Sequence, residues 1–331
     1  VKFSEKYSSL IPVMTVYALL FAIGMTVPGM WQPVAFIMFY ITLGQAFNIF
    51  LGLTGYVDFG YVAFLALGAY GMALAVQNFS GLGIGFGVII IGLVLAMIMS
   101  SILSLAVGAV ALRLRGAYFA IATIGVNEGF RYFVEGARLW GGSEGIIISG
   151  SMRKLFGREL SNYISTFVSD IFVFAIAVIA AVVTIIILNR KMGYALMAVR
   201  EDEDAAKVMG INVTKYKIMA FIASASFAGL IGATAWTLKM TYVFPSDVFL
   251  ITYTVEAIVI VMLGGAGTLL GPIVGGLIYG ILKYYLSIIL PGFQLLVLAP
   301  LLIFIVVAFP EGVVGAIRRK YTGEMTRKYL K

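Results

Sequence analysis

The carboxylates of this sequence gather in one place. Glu201, Asp202, Glu203 and Asp204 stand in a row, and the small residues Ala205 and Ala206 follow. Other candidate acids stand apart: Asp58 between Gly55 and Gly60, Glu128 beside Asn127, and Glu256 inside an apolar run. There is no His and no Cys. Zinc sites of the usual ligand type, thiol nucleophiles and Ser-His-Asp triads are therefore excluded. No G-x-x-x-x-G-K-[ST] phosphate loop is present, so ATP is not hydrolysed here by that route. Gly264-Gly265-Ala266-Gly267 follows an apolar span and lacks a downstream Lys, which excludes a nucleotide loop there too. The chemistry left is that of placed charge: carboxylates that cap helices, pair with cations or line a polar path.

Those carboxylates need a scaffold, and composition says what it is. Hydrophobic residues make up 62% of the 331 and charged residues only 11%, with a mean hydropathy of +1.05. Soluble chains hold about 45–50% apolar and about 25% charged residues. A soluble enzyme and a disordered chain are both excluded, and the solvent is a bilayer. Apolar runs of about 20 residues, the length that crosses one, lie near 10–27, 33–50, 59–77, 84–111, 117–134, 167–188, 214–237, 249–264, 269–289 and 293–309. The run at 10–27 is read as an uncleaved first span. The fold class is an all-α polytopic bundle of about ten spans in one domain over 1–331. The net charge of +8 arises from cytoplasmic loops, with no nucleic-acid partner. With the N-terminus inside, most of the 23 basic residues fall on the inner face, as the positive-inside rule demands. Both termini are then cytoplasmic, 189–217 is the longest cytoplasmic loop, and 135–166 is an external segment holding a short surface helix.

Within the cytoplasmic loop, Gly193 and Gly210 bracket a helix-compatible stretch, and Gly210-Ile211-Asn212 is a helix stop. If the helix restarts after Arg200, the four acids occupy its first turn and complement its dipole. Small alanines permit a partner surface to come close, and the acids could pair with its Arg or Lys. A solvated amphipathic loop is the alternative.

Ionisable groups at membrane depth are costly and face a bundle interior or an aqueous path. Asp58 sits in a glycine-bracketed break, where it lines a path or caps the third span. Asn127 and Glu128 lie in the fifth run, with Arg131 at i+3 of Glu128 for a helical ion pair. Glu256 stands as a lone deep carboxylate, serving a path or subunit packing. Gln45 and Asn48 share a helix face suited to interhelical hydrogen bonds. The break at 54–60 would face the cytoplasm and a second one at 241–247 the outside. An inverted repeat would place them so; coincidence between two apolar stretches is the alternative.

Asp204-Ala205-Ala206-x-x-x-Gly210 matches the E-A-A-x-x-x-G motif of ABC importer permeases, with Asp for Glu. The surrounding Arg200 to Asn212 resembles the branched-chain amino-acid permease family in particular. So do Gly55 to Phe64, Leu112 to Thr123, Gly141 to Ile146, Gly264 to Thr268 with Gly271-Pro272, and Phe309 to Gly312, in the family's order. The chain resembles the second, longer-loop permease of the pair. The resemblance implies a type II importer fold in the cytoplasmic membrane of a prokaryote. It implies a second homologous permease, two ABC ATPase subunits carrying ATP and Mg, and an external solute-binding protein. This chain would bind no cofactor of its own, and lipid would surround it. Residues 200–206 and Gly210 would form the coupling element seated on an ATPase. Gly55, Asp58, Gly60, Asn127, Glu128, Glu256, Gly265 and Gly267 would be candidates for the path. Branched-chain or related hydrophobic amino acids are the implied cargo. Urea or a short amide on the same machinery, and an ion-coupled secondary transporter or channel, are the alternatives.

Overall fold

The computed structural model describes residues 10–81, 83–137 and 139–293, with 296, 299–300 and 312–316. Nine of the ten apolar runs form helices there: α1 (Leu10–Thr26), α2 (Trp31–Asn48) continued by α3 (Leu51–Thr54), α4 (Tyr61–Phe79), α5 (Gly87–Ala111), α6 (Ala117–Gly136), α8 (Ser169–Leu188), α11 (Val213–Ile231), α13 (Thr252–Gly264) and α14 (Gly271–Ile289). The tenth run, 293–309, falls almost wholly outside the described residues, as do the basic tail and Glu311. Seven helical segments among the described residues are long and apolar enough to cross a membrane, and α1 is a shorter apolar helix. Ile90, Ile102, Val110 and Ile121 stand exposed on the flanks of the bundle, a surface suited to hydrocarbon.

The remaining elements sort to two ends. At one end lie β1 (Ile146–Ile147), antiparallel to β2 (Tyr242–Val243), and the amphipathic helix α7 (Ser149–Tyr163). β1 and α7 fall in the predicted external segment 135–166, and β2 in the break at 241–247. At the other end lie α9 (Lys191–Glu201) and α10 (Glu203–Val208), both in the predicted cytoplasmic loop. Contacts between connections stay within one end: Gln32 meets Thr166 at the first, and Arg115 meets Asp204 at the second. An odd number of spans between two such segments would have mixed them, so the alternating threading holds.

Packing repeats with a five-span offset. α2 lies on α14 as α11 lies on α5; α4 packs on α5 as α13 packs on α14; α4 touches α11 as α13 touches α2. The exchange swaps spans of opposite direction, which is the arrangement an inverted repeat requires. Close approach rests on glycine: a Cβ on Gly68 would lie 2.0 Å from the Gly229 carbonyl oxygen, and one on Gly275 2.0 Å from that of Ile260. Small residues permit such backbone contact where lipid offers no hydrophobic drive between helices.

Candidate functional site

The four acids fall at a helix break. Asp202 is extended (φ −156°, ψ 111°), ends α9 and starts α10, and its Oδ1 accepts from the N–H groups of Asp204 (2.9 Å) and Ala205 (3.0 Å). The stretch is thus two helices, restarting after Asp202 and not after Arg200, so of the four acids only Glu203 and Asp204 occupy the first turn; Asp202 takes the N-cap position that its short carboxylate favours. Gly210 closes α10 with φ +82°, where a side chain would be strained.

Glu203 turns inward instead of toward a partner. Its carboxylate accepts from the Tyr56 hydroxyl, pairs with Lys217 (3.2 Å) and Lys207 (2.9 Å), and lies 3.7 Å from Arg115. Burial alone would push the Glu203 carboxyl up; hydrogen bonds from Tyr56 and Lys207 and the charge of Lys217 outweigh it and hold it at about 2. Asp204 takes a two-pronged hydrogen bond from Arg115 (2.9 and 2.7 Å), which lowers its carboxyl below the usual range. Replacement of the motif's Glu by Asp therefore leaves a carboxylate that reaches Arg115.

Lys217 is the centre of this cluster. It is 1% exposed, and its ammonium also donates to the Leu112 carbonyl (3.1 Å) and the Tyr56 hydroxyl (3.2 Å). It lies 4.3 Å from the Tyr56 ring centroid. Arg200 makes a second anchor: its guanidinium donates to the carbonyls of Gly52 (2.7 Å) and Ala266 (3.3 Å). Gly267 leaves room for it, since a Cβ there would lie 2.3 Å from the Arg200 Nη1. The pair α9–α10 is thereby tied to four other features at the same end of the bundle: the break after α3, the α5–α6 turn, the foot of α11 and the α13–α14 turn. A cavity of ≈ 460 Å³ lies between them, lined by Gly55, Tyr56, Arg115, Arg200 and Glu203 among others.

The outer face differs. Ala206 is buried against Val199 and Val213, so it is packing and gives no surface to a partner. Ala205, Glu201 and Asp202 are exposed, and Val208 and Met209 reach 87% and 82% exposure. Two large apolar side chains thus stand exposed at the end of a helix whose other residues are bonded to the bundle.

The path candidates divide. Gly55 ends α3 in the left-handed region (φ +75°), and Gly60 precedes α4. Asp58 is buried, and its Oδ1 accepts from the Gly60 N–H (2.8 Å), so it caps the turn locally. Burial pushes its carboxyl up to about 7 against the hydrogen bonds from Gly60 and Thr123. Asn127 is buried and donates to the Phe249 carbonyl at 3.3 Å, while Glu128 faces Arg131 (3.8 Å) as the spacing suggested. Glu256 is not alone, because Lys283 of α14 pairs with it. The lysine was invisible to a reading along one helix, since the partner sits on the next. Gly265 and Gly267, both with positive φ, shape the turn that receives Asn48 and Arg200. Of the eight, Gly55 and Gly267 lie at the cluster around α9–α10, Gly60, Asp58 and Gly265 adjoin it, and Asn127, Glu128 and Glu256 lie apart.

Lys217, Tyr56 and Arg115 were not singled out from the sequence. The sequence signal of Lys217 is limited to its position two residues after Lys215, within the first turns of an apolar run.

The chain is a multi-pass α-helical membrane protein of the permease class, with the helix pair α9–α10 bonded to one end of its bundle. The family model for the branched-chain amino acid transport system permease component matches residues 29–306, and the chain belongs to that family of ATP-binding-cassette importer permeases. It is 31% identical over 304 residues to the high-affinity branched-chain amino acid transport system permease protein LivM of Salmonella typhimurium (strain LT2) and to that of Escherichia coli (strain K12). The match covers 85% of this chain and 69% of each relative. It is also 25% identical over 285 residues to the permease protein LivH of Escherichia coli (strain K12), covering 83% of this chain and 91% of that one. No solved structure matches the chain.

Proposed function

We propose that this chain forms half of the translocation path for branched-chain or related hydrophobic amino acids, paired with a second homologous permease. Two ABC ATPases dock beneath the pair, and an external solute-binding protein delivers the cargo. The α9–α10 pair is the coupling element. Its exposed tip of Ala205, Val208 and Met209 seats in an ATPase groove, while the hydrogen bonds and ion pairs of Arg200, Glu203 and Asp204 hold it to the bundle.

One observation carries this: the same six-residue helix has an apolar outer tip and an inner face bonded to Tyr56, Arg115, Lys217 and, through α9, Gly52 and Ala266. ATP binding that draws the two ATPases together displaces α10. The ion pairs pass that displacement to α4, α5, α11 and the α13–α14 turn together, so the spans move as groups between outward and inward access. The names of the relatives support the cargo, and the buried charges of the bundle are paired or capped, as suits passage of a net-neutral solute.

The test is the double variant Val208→Asp/Met209→Asp in the complete assembly with labelled leucine. Both side chains are exposed, so the fold stays intact. ATP-driven uptake is expected to fall to background, with ATPase subunits lost on purification. Wild-type uptake would remove the coupling role from α10.

A further inference from the structure

Toward the external end, α2, α8, the π-helical turn Gly232–Leu238, α13 and α14 enclose a cavity of ≈ 250 Å³. That is below the ≈ 300–1,000 Å³ of drug-sized sites and suits a smaller solute. Its wall is aromatic and apolar, from Phe36, Phe39, Tyr40, Trp236 and Tyr253. Two charges interrupt it: Asp170, 3% exposed, and Lys239, whose ammonium pairs with Asp170 Oδ1 at 2.5 Å. Asp170 Oδ2 accepts from the Trp31 indole at 3.1 Å.

The pair leaves bonding capacity unused. An ammonium has three donors, and Asp170 is the only partner of Lys239 among the described residues. The Trp236 indole N–H is buried without a partner. Beside the cavity, Lys283 lies 5.0 Å from the centroid of the lining Tyr40 ring and pairs with Glu256, whose Oε2 is buried without a partner.

We propose that this cavity is a transit site for a zwitterionic α-amino acid with an apolar side chain. The carboxylate is taken by Lys239 and the Trp236 N–H, the ammonium by Asp170 and the aromatic faces, and the side chain by Phe36, Phe39 and Tyr253. A zwitterion lies antiparallel to the resident ion pair, so each of its charges meets an opposite one. A simple amine is repelled by Lys239, and a simple carboxylate by Asp170. Aromatic faces attract an ammonium, and the low-dielectric wall strengthens both contacts. The inference rests on the amino-acid cargo proposed above and adds where in this chain the cargo pauses and which charges select it.

The experiment compares L-leucine, 3-methylbutylamine and 4-methylpentanoate on the full chain in lipid nanodiscs, by ligand-detected NMR saturation transfer. The wild type is expected to bind leucine and neither analogue. Asp170→Asn should lose leucine about tenfold, the worth of one charge-assisted hydrogen bond, and gain the carboxylate. Lys239→Met should lose leucine similarly and gain the amine. The variant Asp170→Asn/Lys239→Met leaves no stranded charge, so it keeps the fold, and it should bind none of the three. An unchanged ranking of the three solutes in the single variants overturns the proposal, as does wild-type leucine binding in the double variant. ATP-driven uptake by the complete assembly separates the two claims. Leucine import that ignores both charges overturns the cavity site and leaves the cargo standing; selective leucine binding without amino-acid import overturns the cargo and leaves the site.

Discussion

The bond between Glu203 and Lys217 ties α10 to the bundle, and its strength can be measured. At 3.2 Å the two charges attract by about 5 kcal/mol at an effective dielectric of 20. Desolvation of a Lys217 that is 1% exposed offsets much of that. Removing one partner is the severe change, because it strands the other. Glu203→Ala leaves the ammonium with the Leu112 carbonyl and the Tyr56 hydroxyl as neutral acceptors, and about 3–5 kcal/mol should be lost. Lys217→Met is milder, since Glu203 keeps Tyr56, Lys207 and Arg115. The double variant Glu203→Ala/Lys217→Met removes both charges and should recover most of the loss, giving a coupling energy of about 2–3 kcal/mol. At about 2–4 °C per kcal/mol, Glu203→Ala should melt roughly 10 °C lower in detergent by light-scattering or dye-binding scans. In the complete assembly Glu203→Ala/Lys217→Met should hydrolyse ATP while importing less solute per ATP. Additivity of the single variants within about 0.5 kcal/mol would refute a direct bond, and normal uptake per ATP would refute its mechanical role.

Other outcomes follow from the same geometry. Glu203 has its carboxyl held at about 2 against an ordinary 4.5, so its stabilisation is complete above pH 4.5 and is lost as pH falls toward 2. A fluorophore on Val208→Cys, the sole cysteine of the chain, should report constant α10 packing from pH 8 to 5 and release only below 4.5; a transition between pH 5 and 7 would contradict this. Asp58 is displaced the other way, to about 7 from 3.8, so its ionisation costs stability as pH rises through that window. Asp58→Asn, which retains the Oδ1 acceptor, should match or exceed the wild-type melting temperature at pH 8 and lose that advantage near pH 4. Gly68→Ala would force a methyl to 2.0 Å from the Gly229 carbonyl oxygen, and should abolish the monodisperse folded peak in gel filtration.

The spans were legible because hydrocarbon imposes length and apolarity on every crossing, and the threading was legible in the Lys and Arg of the loops. The four acids pointed to a helix restart within the stretch, though not to Asp202 as the cap that sets it two residues further on. The facing of each residue was hidden. Ala205 and Ala206 are adjacent and chemically identical, yet one is exposed and the other buried, because a helix turns about 100° per residue and only the neighbours decide which side is inside. Pairings across elements were equally opaque: Asp204 with Arg115, Glu203 with Lys217, Glu256 with Lys283 and Asp170 with Lys239 join residues 14 to 89 positions apart. Each acid could be singled out by its setting, but its partner depends on which spans pack together, and apolar spans look alike in sequence.

The most direct measurement is labelled-leucine accumulation in proteoliposomes that hold this chain, either alone or with its second permease, ATPases and binding protein. Accumulation should appear only in the complete assembly and only with hydrolysable ATP. Accumulation by this chain alone, driven by a proton or sodium gradient, would contradict a gate worked through α10 by separate ATPases.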